Sequence, residues 1–330
     1  MIIFDDIIST IKNAHGVNEV FGNIRLYLKK YNIDYYNLKN GNISNKARIF
    51  ERLRKCDVVG IDPKYKIFHS TYYRIPNKKL ITFNTVHDYI HQRYLKNFNT
   101  LINSYLKKKI FLNSDVLICV SHSTKKDLYF YNEKEVKNKR VEVIHNGVSK
   151  NFYRINDLDK KNFVLFVGRR GQYKNFNNVV KALSLNKHFK LIFTGGGPLS
   201  SDEKILLEKF IPGRYQHFKF CNQIKLNYLY NSAHCLIYPS LYEGFGLPVI
   251  EAQKTGCPVI AMNRSSVPEI TNDSALLMEK GSADEILHSL NLLEDKFFKN
   301  KLIDKGLKNA INYDWDISIK KYIKLYKEYI

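Results

Sequence analysis

At 330 residues, 44% hydrophobic and 13% aromatic, the chain has enough apolar material for two domains with full cores, and its composition excludes a disordered or fibrous protein. No apolar run approaches the roughly 18–20 residues that cross a bilayer, and the acidic start, MIIFDDIIST, lacks the basic region of a secretory leader. The net charge of +22 is uneven: residues 1–155 hold 28 Lys or Arg against 13 Asp or Glu, and residues 156–330 hold 25 against 18. The first half therefore suits an anionic partner, unless the lysines merely follow the general Lys, Asn, Ile and Tyr richness of the chain.

In chain order, the first strands are predicted at Lys66–Ser70 and Leu80–Val86. A long helical stretch follows, roughly Gln92 to Asn113, and then strands at Val116–Ser121 and Val141–His145. Ser121 and Ser123 are placed to cap a helix running on through Leu128. The polar stretch 149–162 reads as a linker, dividing a domain of residues 1–152 from one of 153–313. Beyond it, strands are predicted at Phe163–Val167, Leu191–Thr194, His217–Cys221, Leu236–Tyr238, Pro258–Ala261 and Ala275–Met278, with helices between them. Apolar residues at 315, 319, 322, 323, 326 and 330 give a closing helix over 314–330. Apolar strands alternating with helices mean parallel sheets covered on both faces: an α/β chain of two doubly wound, Rossmann-like domains facing across a cleft. The five cysteines form no CxxC pair and read as reduced thiols, with neither a disulfide framework nor a zinc site.

Open α/β sheets bind ligands at the carboxyl ends of their strands, and the informative motifs fall there. In IYPSLYEGFGLPVIEA, residues 237–252, a strand ends at Pro239 and a helix opens at Pro248. Gly244 and Gly246 let backbone approach an anion, and the helix start adds N–H groups and a positive dipole end. Glu243 lies before the helix and Glu251 one turn into it, both able to hold sugar hydroxyls. Two surface acids favoured by the dipole are the plain alternative. In FVGRRGQYKN, residues 166–175, Arg169, Arg170 and Lys174 follow a strand and can clamp a diphosphate; a solvated basic turn is the plain alternative. The glycines of TGGGPL, residues 194–199, read equally as a simple turn or as tight packing beside a ligand. His87 and Asp88 end a strand of the first domain, and alone read best as a structural pair. Residues 44–56, with Arg48, Arg52 and Lys55 on one helical stripe and Ile49, Phe50 and Leu53 on another, and Lys107–Lys109 further on, offer a candidate membrane face, though an ordinary solvated face over a core is the better reading of the stripe alone.

With the EGFGLPVIE segment (E-x7-E), FVGRRGQYKN, VSHSTKKDL (120–128), VIHNGV (143–148), GCPVIAMNRSSVPEI (256–270) and the Trp315 helix assembled, the chain resembles the retaining GT-B glycosyltransferases of family GT4 over residues 66 to 316. It is most similar to the bacterial mannosyltransferase-like subgroup that builds O-antigen and capsule chains. The resemblance implies that Glu251 binds the nucleotide ribose and Glu243 the donor sugar. Backbone N–H groups at Phe245–Leu247 would hold the distal phosphate, and Arg169 and Lys174 the departing diphosphate. It moves His87 to the reacting centre and the closing helix onto the first domain. Where the family has a Gly-Gly loop near the diphosphate, this chain has Gly16 alone, in NAHGV.

The implied reaction transfers a hexose from a nucleoside diphosphate sugar, GDP-mannose before a UDP-sugar, to a saccharide or lipid-linked glycan. It needs no metal and no cofactor beyond the donor substrate. The expected setting is cytoplasmic or peripheral on the inner face of the plasma membrane, with an anionic membrane surface as a partner and no nucleic acid. Glu243→Ala and Lys174→Ala are expected to abolish transfer with the fold intact. A GT-B-fold sugar-nucleotide epimerase and a non-catalytic sugar-nucleotide-binding subunit are the rival readings.

Overall fold

The computed structural model describes residues 1–10, 15–38, 54–95 and 98–330. The chain divides into two compact units. The first joins Met1–Gly147 to Trp315–Ile330, and the second is Val148–Asp314.

The first unit contains β1 (Ile2–Phe4), α1 (His15–Lys30), β2 (Tyr35–Asn37), β3 (Lys55–Cys56), β4 (Ile67–Ser70), β5 (Ile75–Pro76) and β6 (Ile81–Val86). It continues with α2 (Ile90–Tyr94), α3 (Phe98–Leu112), β7 (Val116–Cys119), α4 (His122–Val136) and β8 (Arg140–Val143). Its main sheet runs β2-β1-β4-β6-β7-β8, all parallel. The predicted long helix is two helices, α2 and α3. The serine cap is Ser121, whose hydroxyl accepts from the Thr124 N–H at 3.0 Å. No element is predicted at β1, α1 or β2: the two strands, of three residues each, carry too little periodicity to be seen, while the 16-residue α1 is a plain omission. The stretch 39–53, with most of the 44–56 stripe, lies outside the described residues.

The second unit contains β9 (Phe163–Val167), α5 (Phe176–Leu185), β10 (Lys190–Thr194), α6 (Ser201–Phe210), β11 (Tyr215–Phe218), α7 (Gln223–Ser232) and β12 (Cys235–Tyr238). α8 (Leu247–Lys254), β13 (Val259–Met262), α9 (Val267–Thr271), β14 (Leu276–Met278), α10 (Ala283–Leu292) and α11 (Lys296–Ala310) complete it. Its sheet runs β11-β10-β9-β12-β13-β14, again parallel throughout. Chain order reverses between β9 and β12, so the two strand ends there are the natural ligand position of this sheet. The strand predicted at 217–221 forms two residues earlier. Pairing of Tyr215–Phe218 with Leu191–Thr194 sets its register, and the Asn222 side chain then starts α7 by accepting from the Lys225 N–H at 2.9 Å.

The unit boundary falls at 147/148, five residues before the expected 152/153. The supposed linker is held to α7: Asn227 and Asn231 accept from the N–H groups of Tyr153 (3.0 Å) and Ile155 (2.7 Å), and buried Phe152 packs edge-on to Tyr230. The closing helix α12 (Trp315–Lys327) belongs to the first unit, where Trp315, Ile319, Tyr322 and Tyr326 share a core with Phe4, Phe21, Ile24 and Phe83.

Within that core His69 is fully buried, bridging the Tyr326 hydroxyl (2.5 Å) and Thr85 Oγ1 (2.9 Å). Burial pushes its imidazole down to about 3, and His87 and His234, also chiefly through burial, fall to about 4 and about 3. An unfolded histidine protonates near 6.5, so between there and pH 3–4 the unfolded state binds the extra protons. Stability is therefore present in full above pH 6.5 and is lost as pH falls toward 4, by up to about 1.4 kcal/mol per pH unit for each histidine. Burial raises the Asp5 carboxyl, which works in the opposite sense, so the informative measurement is a comparison. Urea unfolding at pH 7, 6 and 5 is expected to show a shallower decline in His69→Gln than in the parent chain. Equal slopes would contradict this account.

Candidate active site

The reversal point of the second sheet is where the chemistry collects. β9 ends at Val167, and Gly168, at φ 133°, turns the chain into a short 3-10 turn, Gln172–Lys174. On the neighbouring strand β12 ends at Tyr238 and the loop to α8 begins. The Leu241 N–H donates to the Tyr173 carbonyl at 2.8 Å, tying the two connections together. Lys174 and Glu243 meet there in an ion pair whose side chains are each 10% exposed. The Lys174 ammonium also stands 5.3 Å from the ring centroids of both Tyr173 and Tyr238. An ammonium has three N–H donors, so the bond to Glu243 orients Lys174 and leaves it capacity for an anion.

The loop is held from below. The Glu243 N–H donates to Ser265 Oγ at 2.8 Å, and the Ser266 hydroxyl bonds the carbonyls of Glu243 (3.0 Å) and Phe245 (2.7 Å). Gly246 takes φ 107°, which favours glycine, and a Cβ there would sit 3.1 Å from Ile270. α8 then starts with Pro248 in its first turn and no side chain capping it. The Phe245 ring is buried edge-on to Tyr313, so this residue can offer only backbone to a ligand; Gly244, Phe245, Gly246 and Leu247 together form the path into the helix. Glu251 is buried and accepts from the Tyr230 hydroxyl at 2.8 Å. Burial, reinforced by the neighbouring glutamate, keeps the phenols of Tyr230 and Tyr238 protonated far above their usual range.

The three cations of 166–175 separate. Lys174 is buried at the pair and Arg169 is exposed on the same turn. Arg170 turns inward: it pairs with Glu203 at 2.8 Å and donates to the carbonyls of Gly195, Gly197 (3.2 Å) and Pro198 (2.9 Å). This decides the reading of TGGGPL. The glycines wrap the guanidinium, and a Cβ on Gly196 would stand 2.6 Å from Arg170.

In the first unit, His87 lies just past the end of β6, half-buried, with Nε2 buried and without a hydrogen-bond partner among the described residues. Asp88 acts on His87 through its charge, partly offsetting the effect of burial, and among the described residues no hydrogen bond joins the two; the Asp88 carboxylate accepts from the Ile90 N–H at 3.1 Å and shapes the start of α2. Behind this turn Lys107 is buried, donating to the Asp88 carbonyl and to Gln92 (3.2 Å), with its ammonium 3.6 Å from the Tyr89 ring centroid. Gly16 is the second residue of α1, and among the described residues no atom lies within 4 Å of where its Cβ would go. Two groups escaped the sequence reading. Asp5, at the β1/β4 reversal point, is buried and accepts from Thr71 N–H (2.8 Å) and Ser70 (3.3 Å); its place after a short strand was the available signal. Lys107 stands in a Lys-Lys-Lys run, which reads as surface charge and hides its burial. A cavity of about 660 Å3 opens at the opposite, amino-terminal edge of the first sheet and has no part in the site.

Two parallel-sheet, Rossmann-like units, the second with a cation–carboxylate pair at its reversal point, define an α/β protein of the GT-B class. HepE from Anabaena, solved with UDP-glucose, superposes with a TM-score of 0.75 over 99% of both chains at 15% identity. Residues 149–309 match the family model for glycosyl transferases group 1, and residues 18–152 match that for glycosyltransferase family 4. The chain belongs to family 4 of the glycosyltransferases.

Among curated relatives, the chain is 29% identical over 173 residues to O-antigen chain mannosyltransferase B of Escherichia coli, covering 50% of this chain and 45% of that one. It is 28% identical over 221 residues to O-antigen chain mannosyltransferase RfbU of Salmonella typhimurium, covering 64% and 60%. The matched region thus spans about half to three-fifths of these relatives' length.

Proposed function

We propose that the protein is a retaining glycosyltransferase that moves a hexose from a nucleoside diphosphate sugar to a saccharide or lipid-linked glycan in O-antigen or capsule synthesis. The observation that carries this reading is the buried Lys174–Glu243 pair at the reversal point, beside a glycine-led helix start. Glu251, oriented by Tyr230, takes the ribose diol. The N–H groups of Phe245–Leu247 take the distal phosphate. Arg169 and Lys174 neutralise the diphosphate as it leaves, a task for which this reading invokes no metal ion. Glu243 holds the donor sugar by its hydroxyls while fixing Lys174. The bond from the anomeric carbon to the phosphate oxygen breaks as the acceptor oxygen bonds the same face of that carbon. The acceptor proton passes to a phosphate oxygen of the departing nucleoside diphosphate. The assignment of His87 to the reacting centre rests on its motif.

The mannosyltransferase relatives favour GDP-mannose as donor, and the UDP-glucose in HepE makes UDP the other base to try. The acceptor and the charge of the first half suit a cytoplasmic enzyme attached peripherally to an anionic membrane surface, with no nucleic-acid partner. Thermal shift with GDP and UDP tests the donor half. The matching nucleotide at roughly a hundred times its Kd stabilises by about 2.7 kcal/mol, and Glu251→Ala is expected to remove most of that gain. No shift with either nucleotide sinks the assignment. Turnover of donor sugar without acceptor would indicate an epimerase, and binding without any turnover a non-catalytic subunit.

A further inference from the structure

We infer that Lys107 is a positioning residue for sugar transfer: from inside the first unit it fixes the turn that carries His87. The inference rests on the assignment of His87 to the reacting centre made above. A lysine is almost never fully buried without a paired charge, yet Lys107, on the same side of α3 as the buried Ile110 and Phe111, is 1% exposed. The carboxylates that α4 turns toward this region are engaged elsewhere, Asp127 with Arg93 and Glu135 with Lys108 at 3.4 Å. What the ammonium meets instead is the turn itself. It donates to the Asp88 carbonyl and to Gln92 Oε1 at 3.2 Å, and it stands 3.6 Å from the centroid of the Tyr89 ring. Asp88 and Tyr89 directly follow His87 in the chain, and Gln92 lies in α2.

Each of these partners is tied off on its far side. Gln92 donates to Asn103 Oδ1 (3.1 Å) and Ser104 Oγ (3.0 Å) on α3. The Tyr89 hydroxyl donates to Asn132 Oδ1 on α4 at 2.8 Å, and its ring stacks on Tyr131 with 5.1 Å between centroids. One ammonium thus clamps the turn between two helices. The His87 ring has less to hold it: an edge-on contact with Phe21 at 6.0 Å, and a buried Nε2 with no hydrogen-bond partner among the described residues. Its place therefore depends on the backbone that Lys107 grips. Charge acts in the same direction. Asp88 on the turn, Asp127 on α4 and Cys119 at the end of β7 act on the ammonium, with Glu135 and Arg93 beside Tyr89 and Tyr131. Burial pushes the Lys107 ammonium down to about 8 and the Cys119 thiol up to about 12. Burial holds His87 neutral, its imidazole down at about 4; Asp88 opposes this and the Lys107 charge assists it. Below pH 8 the ammonium offers three N–H groups and a full charge to the Tyr89 face. Above it the amine keeps two and loses the cation–π contact, so the clamp loosens.

Turnover and NMR of the full chain on either side of pH 8 test it. The parent kcat is expected to fall along an alkaline limb centred near pH 8, with the donor KM unchanged. In Lys107→Met kcat is expected to be about ten- to a hundredfold lower at neutral pH and to lack that limb, while the thermal shift given by the matching nucleotide persists. The imidazole signals of His87 are expected to move with a midpoint near pH 8 in the parent, although that ring does not itself titrate there, and to stay still in Lys107→Met. The NMR measurement needs no activity, and the parent chain alone decides it if the variant does not fold. Parent His87 signals and kcat that are both flat across pH 8 overturn the inference. Normal kcat in Lys107→Met, with His87→Ala inactive, overturns the role of Lys107 and leaves that of His87 standing. Normal turnover in His87→Ala overturns both.

Discussion

Lys174→Ala abolishes sugar transfer and destabilises the second unit by about 3–5 kcal/mol, because it leaves the Glu243 carboxylate buried and unpaired. Glu243→Ala is expected to do the same in mirror image. Sequence reasoning expects the fold to survive either change untouched. The pair's 10% exposure on both sides is what revises that, since neither charge can be hydrated once its partner is gone. The double variant Lys174→Met, Glu243→Leu separates the two roles. It is expected to regain most of the lost stability, as buried ion pairs replaced by apolar groups often do, and none of the activity. Far-UV circular dichroism in urea is the suitable probe, because the only tryptophan, Trp315, belongs to the first unit and reports nothing of the second. A double variant no more stable than the singles would contradict the coupling. Normal turnover in any of the three would remove the pair from the site.

Gly147→Ala is expected to disrupt the first unit and leave the second alone. A Cβ at Gly147 would stand 2.5 Å from the backbone N and Cα of Trp315 and 2.6 Å from its Cγ. Backbone cannot step aside as a flexible side chain can, so α12 has to shift, at a cost on the order of 3 kcal/mol. The shift would also strain the bond from the Ser318 hydroxyl to the His145 carbonyl, 2.7 Å. Tryptophan emission reads the event directly: the Trp315 transition should move to lower temperature with a red-shifted baseline. An unchanged Trp315 melt would show that the contact yields without cost.

Much of this was legible from the chain alone where a segment is apolar and long enough. Phe163–Val167 has the predicted bounds, and β10, β12, β13 and β14 lie within one residue of theirs. The inner strands β9, β12 and β13 are buried on both faces for nearly their whole length, so their hydrophobic runs are unbroken. The acids and cations around the β9/β12 reversal point were found because glycines and a helix-opening proline frame them. What could not be read was partnership. Nothing in Arg169-Arg170 says which guanidinium turns inward, and that depends on Glu203 and the four carbonyls of Gly195–Pro198, brought in from 33 or fewer residues away. Nothing in Lys107-Lys108-Lys109 says that one ammonium is buried under Tyr89 while its neighbour faces outward. His87 and Asp88 look like a hydrogen-bonded pair because they are adjacent, yet the Asp88 carboxylate accepts from the Ile90 N–H and acts on His87 only through its charge.

The route of the chain has a consequence for its synthesis. The second unit is one uninterrupted stretch with its two ends side by side: the Val148 N–H donates to the Tyr313 carbonyl at 2.8 Å, and Val148 bridges Asp314. The first unit is cut open at that place and resumes only at Trp315. On the ribosome, residues 1–147 emerge without Trp315, Tyr322 and Tyr326, which fill one face of their core, and His69 waits for the hydroxyl it will bond. The later-made unit can complete its folding first, and the earlier-made one must remain unfinished until the whole of the insert has been translated.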